Sequence, residues 1–468
     1  MIDNIIVIAY LLITLILGLT VSTFVKSEKD FVTGGSNYSA WIIFATLSGS
    51  FLGGGFTIGL AEKTYLYGLI FVVAIWGFSL KEILIAKFIA PRIHRFQGKA
   101  LTVGDIIEEG YGRSAKIISG FASLVCCGGI IGAQVAACGN ILYTLTGMSP
   151  ITGSIIAAGI VVIYATAGGM KSVVTVDVLH FTVIVIMIPL VLFFGLKQIG
   201  SIDEFLRLVP NSHLKIFGNL GSVSLAILFI SFFLGETLIP PYVQRLLIGK
   251  NSYETEKGTL LSGLLSIVFF LIIGLIGIVA LAIDNSIEPK FALPFVITNT
   301  MPVGIKGLAI AAMVAVIMSS ADSFLNATSV AVKNDLLKPL GLTNSKYISE
   351  VNISRLVTFI IGAVAIAFAL TTSSVIDILL YSYQFWTPFM LIPLVSVILG
   401  IKSSKTAFLG AALCGISSVV IWNIFEPFSI GIDGALEGVI VGVIMNTIAF
   451  ILLTKYTSTN ENLSNVGL

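Results

Sequence analysis

The sequence predicts an all-α polytopic membrane protein with about thirteen transmembrane helices, and three observations predict it. Of 468 residues, 56% are hydrophobic and 11% charged, with a mean hydropathy of +1.04; soluble chains carry roughly 25% charge and 45–50% apolar residues. The apolar residues run in stretches of about 20, the length that crosses a bilayer as a helix. The few charges gather between those stretches. Twenty-six basic and 24 acidic residues leave a net charge of +2, so no basic field exists to draw in nucleic acid. Cys126, Cys127, Cys138 and Cys414 lie inside apolar stretches without CxxC spacing, and His94, His180 and His213 are scattered. No zinc site, disulfide framework or nucleophile constellation is suggested, and the chain is not expected to be an enzyme.

Taken in order, the first stretch, 4–24, opens with Asp3 and has no small-residue cleavage site after it, which predicts a retained helix in place of a leader. With its inner loop it forms a unit of 1–39. Stretches 40–61, 67–90, 116–142, 150–168 and 174–196 make up 40–196. Stretches 222–244, 258–283, 306–331, 353–371 and 375–400 make up 197–400, with a short surface helix near Phe291–Asn299. Stretches 405–424 and 434–454 and a short tail complete 401–468. With the N-terminus outside, eighteen Lys and Arg, Arg245 among them, fall in inner loops and tail and six fall outside. The positive-inside rule therefore predicts an external N-terminus and a cytoplasmic C-terminus in a plasma (inner) membrane.

Two stretches make poor continuous helices. The second contains Ser48-Gly49-Ser50-Phe51-Leu52-Gly53-Gly54-Gly55, and each interior glycine costs about 1 kcal/mol relative to alanine. The seventh contains Gly235-Glu236-Thr237-Leu238-Ile239-Pro240-Pro241, whose prolines cannot donate to a helical ladder. Backbone freed in hydrocarbon is tolerated only where it lines a protein-enclosed cavity. The breaks lie five spans apart, an odd number, so the second block of five enters the membrane with opposite polarity. That is the arrangement of two inverted repeats, 40–196 and 197–400, each opening on a broken helix, with a midplane site between them.

Ionisable groups inside the membrane need a partner or a task. In Val316-Ile317-Met318-Ser319-Ser320-Ala321-Asp322-Ser323, helical spacing puts Val316, Ser319, Asp322 and Ser323 on one face with Ser320 beside it. Hydroxyls, a carboxylate and the carbonyls of a broken helix suit a sodium ion, although serines also bond back to the preceding turn. Asp177 is a second cation ligand or the complement of a helix dipole. Glu236 meets a cationic solute or caps freed amides. Lys81 and Glu82 pair with neighbours or snorkel. Phe51, Gly53, Phe56, Gln134, Thr237, Tyr242, Gln384 and Trp386 are candidates for lining a solute cavity or for ordinary packing.

These residues resemble the sodium:solute symporter family, which includes proline, pantothenate, sugar, sialic acid and choline transporters. The resemblance is carried by Ser48–Leu60, by Gly168-Gly169 with Val176-Asp177-Val178, by Tyr242-Val243-Gln244-Arg245 and by Met318–Ser323. In motif it is nearest the choline- and proline-type members. It implies a LeuT-like core of two inverted five-helix repeats, with one helix before and two after. It also implies a sodium site made by the carbonyls of Gly49, Leu52 and Val316 and the hydroxyls of Ser319 and Ser320. Asp177 and Ser323 match a second cation site found in some members, and Asp322 stands where certain members have serine. Phe56 replaces the glutamine of sugar-transporting members, which disfavours a hexose. Phe51, Ile130 and Ile239 replace the tryptophans of a quaternary-ammonium cage. The implied activity is sodium-coupled import of a small organic solute, an amino acid, amine or carboxylate, by alternating access. Na+ is the one ion or cofactor implied, and the expected partners are solute, sodium and membrane lipid, with no nucleic acid and no obligate protein partner. A proton-coupled carrier titrating Asp177 or Asp322 is the main rival; a solute receptor or a channel is a lesser one.

Overall fold

The computed structural model describes residues 2–343, 347–371, 375–425 and 434–465. The described residues form helices, with one isolated bridge between Tyr38 and Gly249. The chain opens with α1 (Ile2–Ser22), whose lipid-facing side keeps Ile5, Ile8, Leu12 and Ile16 exposed. A one-and-a-half-turn helix, α2 (Glu28–Thr33), follows; Ser27 and Asp30 form a reciprocal capping box at its start. Partial burial opposes ionisation of Asp30, but bonds from Ser27, the Lys26 amide and Lys171 outweigh it and hold that carboxyl below its ordinary range.

The second predicted stretch is broken as its glycines require. Helix α3 (Ala40–Phe51) stops at Leu52, and the chain resumes as a π-turn over Gly55–Gly59 and α4 (Leu60–Tyr67), bent by 65° from α3. Helix α5 (Ile70–Leu84) runs on through a second π-turn, Ile85–Ile89, into α6 (Ala90–Ile93). Next come α7 (Val103–Tyr111), α8 (Arg113–Thr146) and α9 (Pro150–Ile199).

Helix α9 spans 50 residues as two helical arms that meet at a kink at Gly169. It holds the expected stretches 150–168 and 174–196, joined by an elbow at Gly169 (φ 54°, ψ −141°) and not by a loop. The positive φ favours glycine, and a Cβ at this position would collide with the Phe31 carbonyl. Gly169→Ala should therefore lower the yield of folded protein and its thermal midpoint, read by size-exclusion fluorescence after heating; a wild-type midpoint would show that the elbow tolerates a side chain.

Two small helices, α10 (Ile202–Leu208) and α11 (Asn211–Leu214), lead to the second broken stretch. Helix α12 (Gly221–Leu234) ends where Gly235 turns extended, and α13 (Pro240–Leu247) starts after Ile239. The prolines do not lie in the gap. They occupy the first positions of α13, where a helix has no use for their missing N–H. The gap itself holds Glu236 (φ 51°) and Leu238 (φ 52°), two residues with side chains in the left-handed region. Such conformations cost about 1–3 kcal/mol each and persist where the surroundings enforce them, often at functional sites.

Helix α14 (Ser252–Ile283) precedes α15 (Ala292–Thr300), which matches the expected surface helix, and then α16 (Ile305–Ala331). Nearly every residue of α16 is buried, which makes it the central helix of the molecule. Helices α17 (Glu350–Thr371), α18 (Val375–Leu399), α19 (Lys405–Phe425) and α20 (Gly434–Asn465) complete the chain. Among the described residues, eight helices are long and apolar enough to cross a membrane, and the bent α3–α4 pair makes nine. The chain packs α16 against α1, α8, α9 and the two half-helices α3 and α13. Those half-helices are also tied at their far ends by backbone bonds, Tyr38 N–H to the Ile248 carbonyl at 3.2 Å and Lys250 N–H to the Tyr38 carbonyl at 2.9 Å.

Candidate functional site

The break of α3 faces the serines of α16. Ser320 Oγ donates to the Ser50 carbonyl at 2.8 Å and to the Val316 carbonyl at 3.3 Å. Ser319 Oγ lies 3.3 Å from where a Cβ on Gly49 would be, and Ser320 Oγ stands where a Cβ on Gly53 would go. The glycines thus let Ser320 bond the backbone at the broken end of α3 and let Ser319 pack close beside it. Gly49, Ser319, Ser320 and Val316 come together here, and Leu52, buried, sits at the last turn of α3. Gly53→Ala is expected to push Ser320 aside and to raise the sodium concentration for half-maximal solute uptake at least tenfold. Uptake in proteoliposomes measures it, and unchanged sodium dependence would move the site elsewhere.

One turn away lies a denser polar knot. Asp177 of α9 accepts from Thr46, from Ser319, from Ser50 at 3.2 Å and from Arg245 Nη2 at 3.0 Å. The Arg245 guanidinium also donates through Nε to Thr46 Oγ1 at 3.0 Å, through Nη1 to the Pro241 carbonyl at 3.1 Å, and through Nη2 to Ser50 Oγ at 2.9 Å and to Ser323. Both members of the Arg245–Asp177 pair are fully buried. Asp322 accepts from Tyr164 and from Ser323 at 3.0 Å. Asp177, Asp322 and Ser323, the candidate second cation site, are therefore brought together, around a cation supplied by α13. Arg245, counted among the inner-loop charges from sequence, is not in a loop. Hydropathy places it at the end of an apolar run, but its partners lie on α3, α9 and α16.

The solute candidates fall into two groups. Phe51 meets Tyr242 edge-on at 5.0 Å, Gln134 faces the α3 break, and Phe56 packs among Phe78, Phe232 and Phe270. Thr237 Oγ1 bonds back to the Phe233 carbonyl at 3.1 Å, and Glu236 is buried within electrostatic reach of Lys81. Gln384, by contrast, takes a bond from Asn423 of α19 at 2.9 Å, which turns its carbonyl toward the C-terminal helices. Trp386 is fully buried in the core.

Thr46, Ser50, Tyr164 and Arg245 were not singled out from sequence as site residues. Thr46 and Ser50 carry a usable signal, hydroxyls at i and i+4 on the helix face leading into the glycines. The partners of Tyr164 and Arg245 are set by packing between distant segments, and nothing local announces them.

A model of the sodium:solute symporter family matches residues 31–417. The uncharacterized symporter YidK of Escherichia coli (strain K12) is 23% identical over 369 residues, 73% of this chain and 64% of that protein. The chain thus matches less than two thirds of that relative's length. The sodium/proline symporter of Staphylococcus aureus is 25% identical over 77% of this chain and 73% of its own length. A substrate-bound, outward-open structure of a Na+-coupled sialic acid symporter superposes with a TM-score of 0.82 at 19% identity, covering 97% of this chain and 98% of that one. The expected LeuT-like fold is thereby shown.

Proposed function

We propose, from the premise that this chain belongs to the sodium:solute symporter family, that it imports a small organic solute together with sodium by alternating access. The observation that carries the reading is the contact of Ser320 with the broken end of α3. Sodium would sit among the carbonyls of Gly49, Leu52 and Val316 and the hydroxyls of Ser319 and Ser320, where the Ser320 hydroxyl now donating to carbonyls and the Ser319 hydroxyl now donating to Asp177 would turn their lone pairs to the ion. An ion held there bridges α3 to α16 and so favours conformations in which those helices stay together. That differential affinity, and no bond chemistry, couples the ion to the conformational equilibrium. Solute would bind beside it, near Phe51, Gln134 and the Glu236–Thr237 gap.

We read 40–196 and 197–400 as the two inverted repeats, with the N-terminus outside and the C-terminus in the cytoplasm of a plasma membrane. The positive-inside bias still supports this after Arg245 is removed from the inner count. Asp177 and Ser323 are already served by the Arg245 guanidinium, and Asp322 by Tyr164 and Ser323, so we assign one travelling sodium ion per cycle. The same pairing weighs against Asp177 as a proton carrier. The test is a thermal-shift screen of purified protein against amino acids, amines and carboxylates in sodium and in potassium. Solute stabilisation that requires sodium supports the symporter. Stabilisation indifferent to the cation but dependent on pH would select the proton-coupled alternative.

A further inference from the structure

Lys81 and Glu82 are fully buried in the last turn of α5, with Lys81 Nζ 3.9 Å from Glu82 Oε1. The pair is too long for a hydrogen bond. Lys81 Nζ has no hydrogen-bond partner among the described residues, whereas the Glu82 carboxylate leans toward the Tyr242 hydroxyl and Ser262. Lys81 rests instead on the face of Phe78, 3.6 Å from the ring centroid. Buried polar groups are nearly always satisfied, so a buried ammonium without a hydrogen-bond partner marks a place where a polar group from elsewhere belongs.

A cavity of about 300 Å³ adjoins it. One helical stripe of Lys81, Ile85, Phe88 and Arg92 forms its first wall; Leu234 at the end of α12, Thr237 from the α12–α13 gap and Leu391 from α18 form the others, and the space opens to the surface beside the exposed Phe88 and Leu399. Its lining holds two basic side chains, Lys81 and Arg92, and no acidic one; the rest is almost wholly apolar. The two cations stand eleven residues apart, about 16 Å along the helix. The π-turn Ile85–Ile89, a distortion frequent at functional sites, falls between them.

We infer that the transported solute is a carboxylate with an apolar body, and that its carboxylate docks on Lys81 as it passes the α12–α13 gap. Two cations line the space while the carboxylates near Lys81, those of Glu82 and Glu236, stand outside the lining, and this selects an anion. The aliphatic and aromatic walls select an apolar remainder, and the volume suits a molecule of small-ligand size. Glu82, outside the cavity, competes with the incoming carboxylate for Lys81. The inference rests on the symporter reading and names its solute class.

The experiment uses purified full-length protein in sodium buffer, with thermal-shift titrations of 4-methylpentanoate and phenylacetate against their amides. The carboxylates should raise the midpoint and the amides should not. Lys81→Met should weaken carboxylate binding at least tenfold. Glu82→Gln should tighten it severalfold, a gain that a purely structural ion pair would not give. Lys81→Met combined with Glu82→Gln removes both charges and protects against a misfolded single variant; it should fold, keep the sodium-induced shift and bind no carboxylate. Equal binding of acids and amides, wild-type affinity in the double variant, or binding restricted to long-chain fatty acids would overturn the inference. Loss of the sodium-induced shift in wild-type protein would instead overturn the symporter reading, so the two failures are distinguishable.

Discussion

Replacing Arg245 by methionine is expected to abolish solute uptake and to lower the thermal midpoint markedly. Among the described residues the guanidinium is the one counterion paired with Asp177, and both are sealed from solvent. Removing one partner of a buried pair strands the other, at a cost of about 3–5 kcal/mol. The damage should exceed that of a lost salt bridge, because Arg245 also holds Thr46, Ser50 and Ser323 and so fixes α13 against α3 and α16. Arg245→Lys should rescue little, since an ammonium cannot reproduce the fork that reaches those partners together. Arg245→Met combined with Asp177→Asn should recover much of the stability, because no bare charge remains. Melting curves of the four proteins form a double-mutant cycle. Strictly additive losses would mean that the pair is not coupled in the folded protein.

Removing the Ser320 hydroxyl as Ser320→Ala is expected to raise the sodium concentration for half-maximal uptake about tenfold or more, equivalent to about 1.4 kcal/mol of lost binding. The fold should survive, because the hydroxyl only decorates the Ser50 and Val316 carbonyls. Ser319→Ala should act in the same direction with an added cost, since Ser319 also supports Asp177. Sodium titrations of uptake in proteoliposomes measure both. Wild-type titrations in the two variants would remove the site from this junction.

Much of the architecture was legible because it is written in local chemistry. A bilayer demands long apolar runs, and Gly53-Gly54-Gly55 and Gly235 with Pro240-Pro241 mark where two of those runs cannot stay helical. The serine face of α16 was legible for the same reason, since helical spacing alone aligns Ser319 with Ser323. What remained hidden depends on distant segments meeting. Arg245 looks like a loop residue until α13 is seen to insert it beside Asp177, 68 residues earlier in the chain. The Gly168-Gly169 pair looks like a loop until its partner Phe31 shows that a sharp elbow between two helical arms is what fits. Lys81 and Glu82 look like an ordinary adjacent pair, and only the space beside them shows that their charges are unequally engaged.

A cation that is part of the chain never leaves it, and this sets the electrical character of the cycle. On the proposed stoichiometry, with Arg245 held in the fold, one free positive charge accompanies each solute. If that solute is a simple carboxylate, the two charges cancel and membrane voltage does no work on the loaded carrier. Accumulation then stops at the sodium ratio, roughly tenfold for a tenfold gradient. A zwitterionic solute leaves one charge uncancelled, and each 100 mV then adds about 2.3 kcal/mol, roughly another fiftyfold. Currents recorded from solid-supported membranes would therefore report the solute's charge before its identity is known.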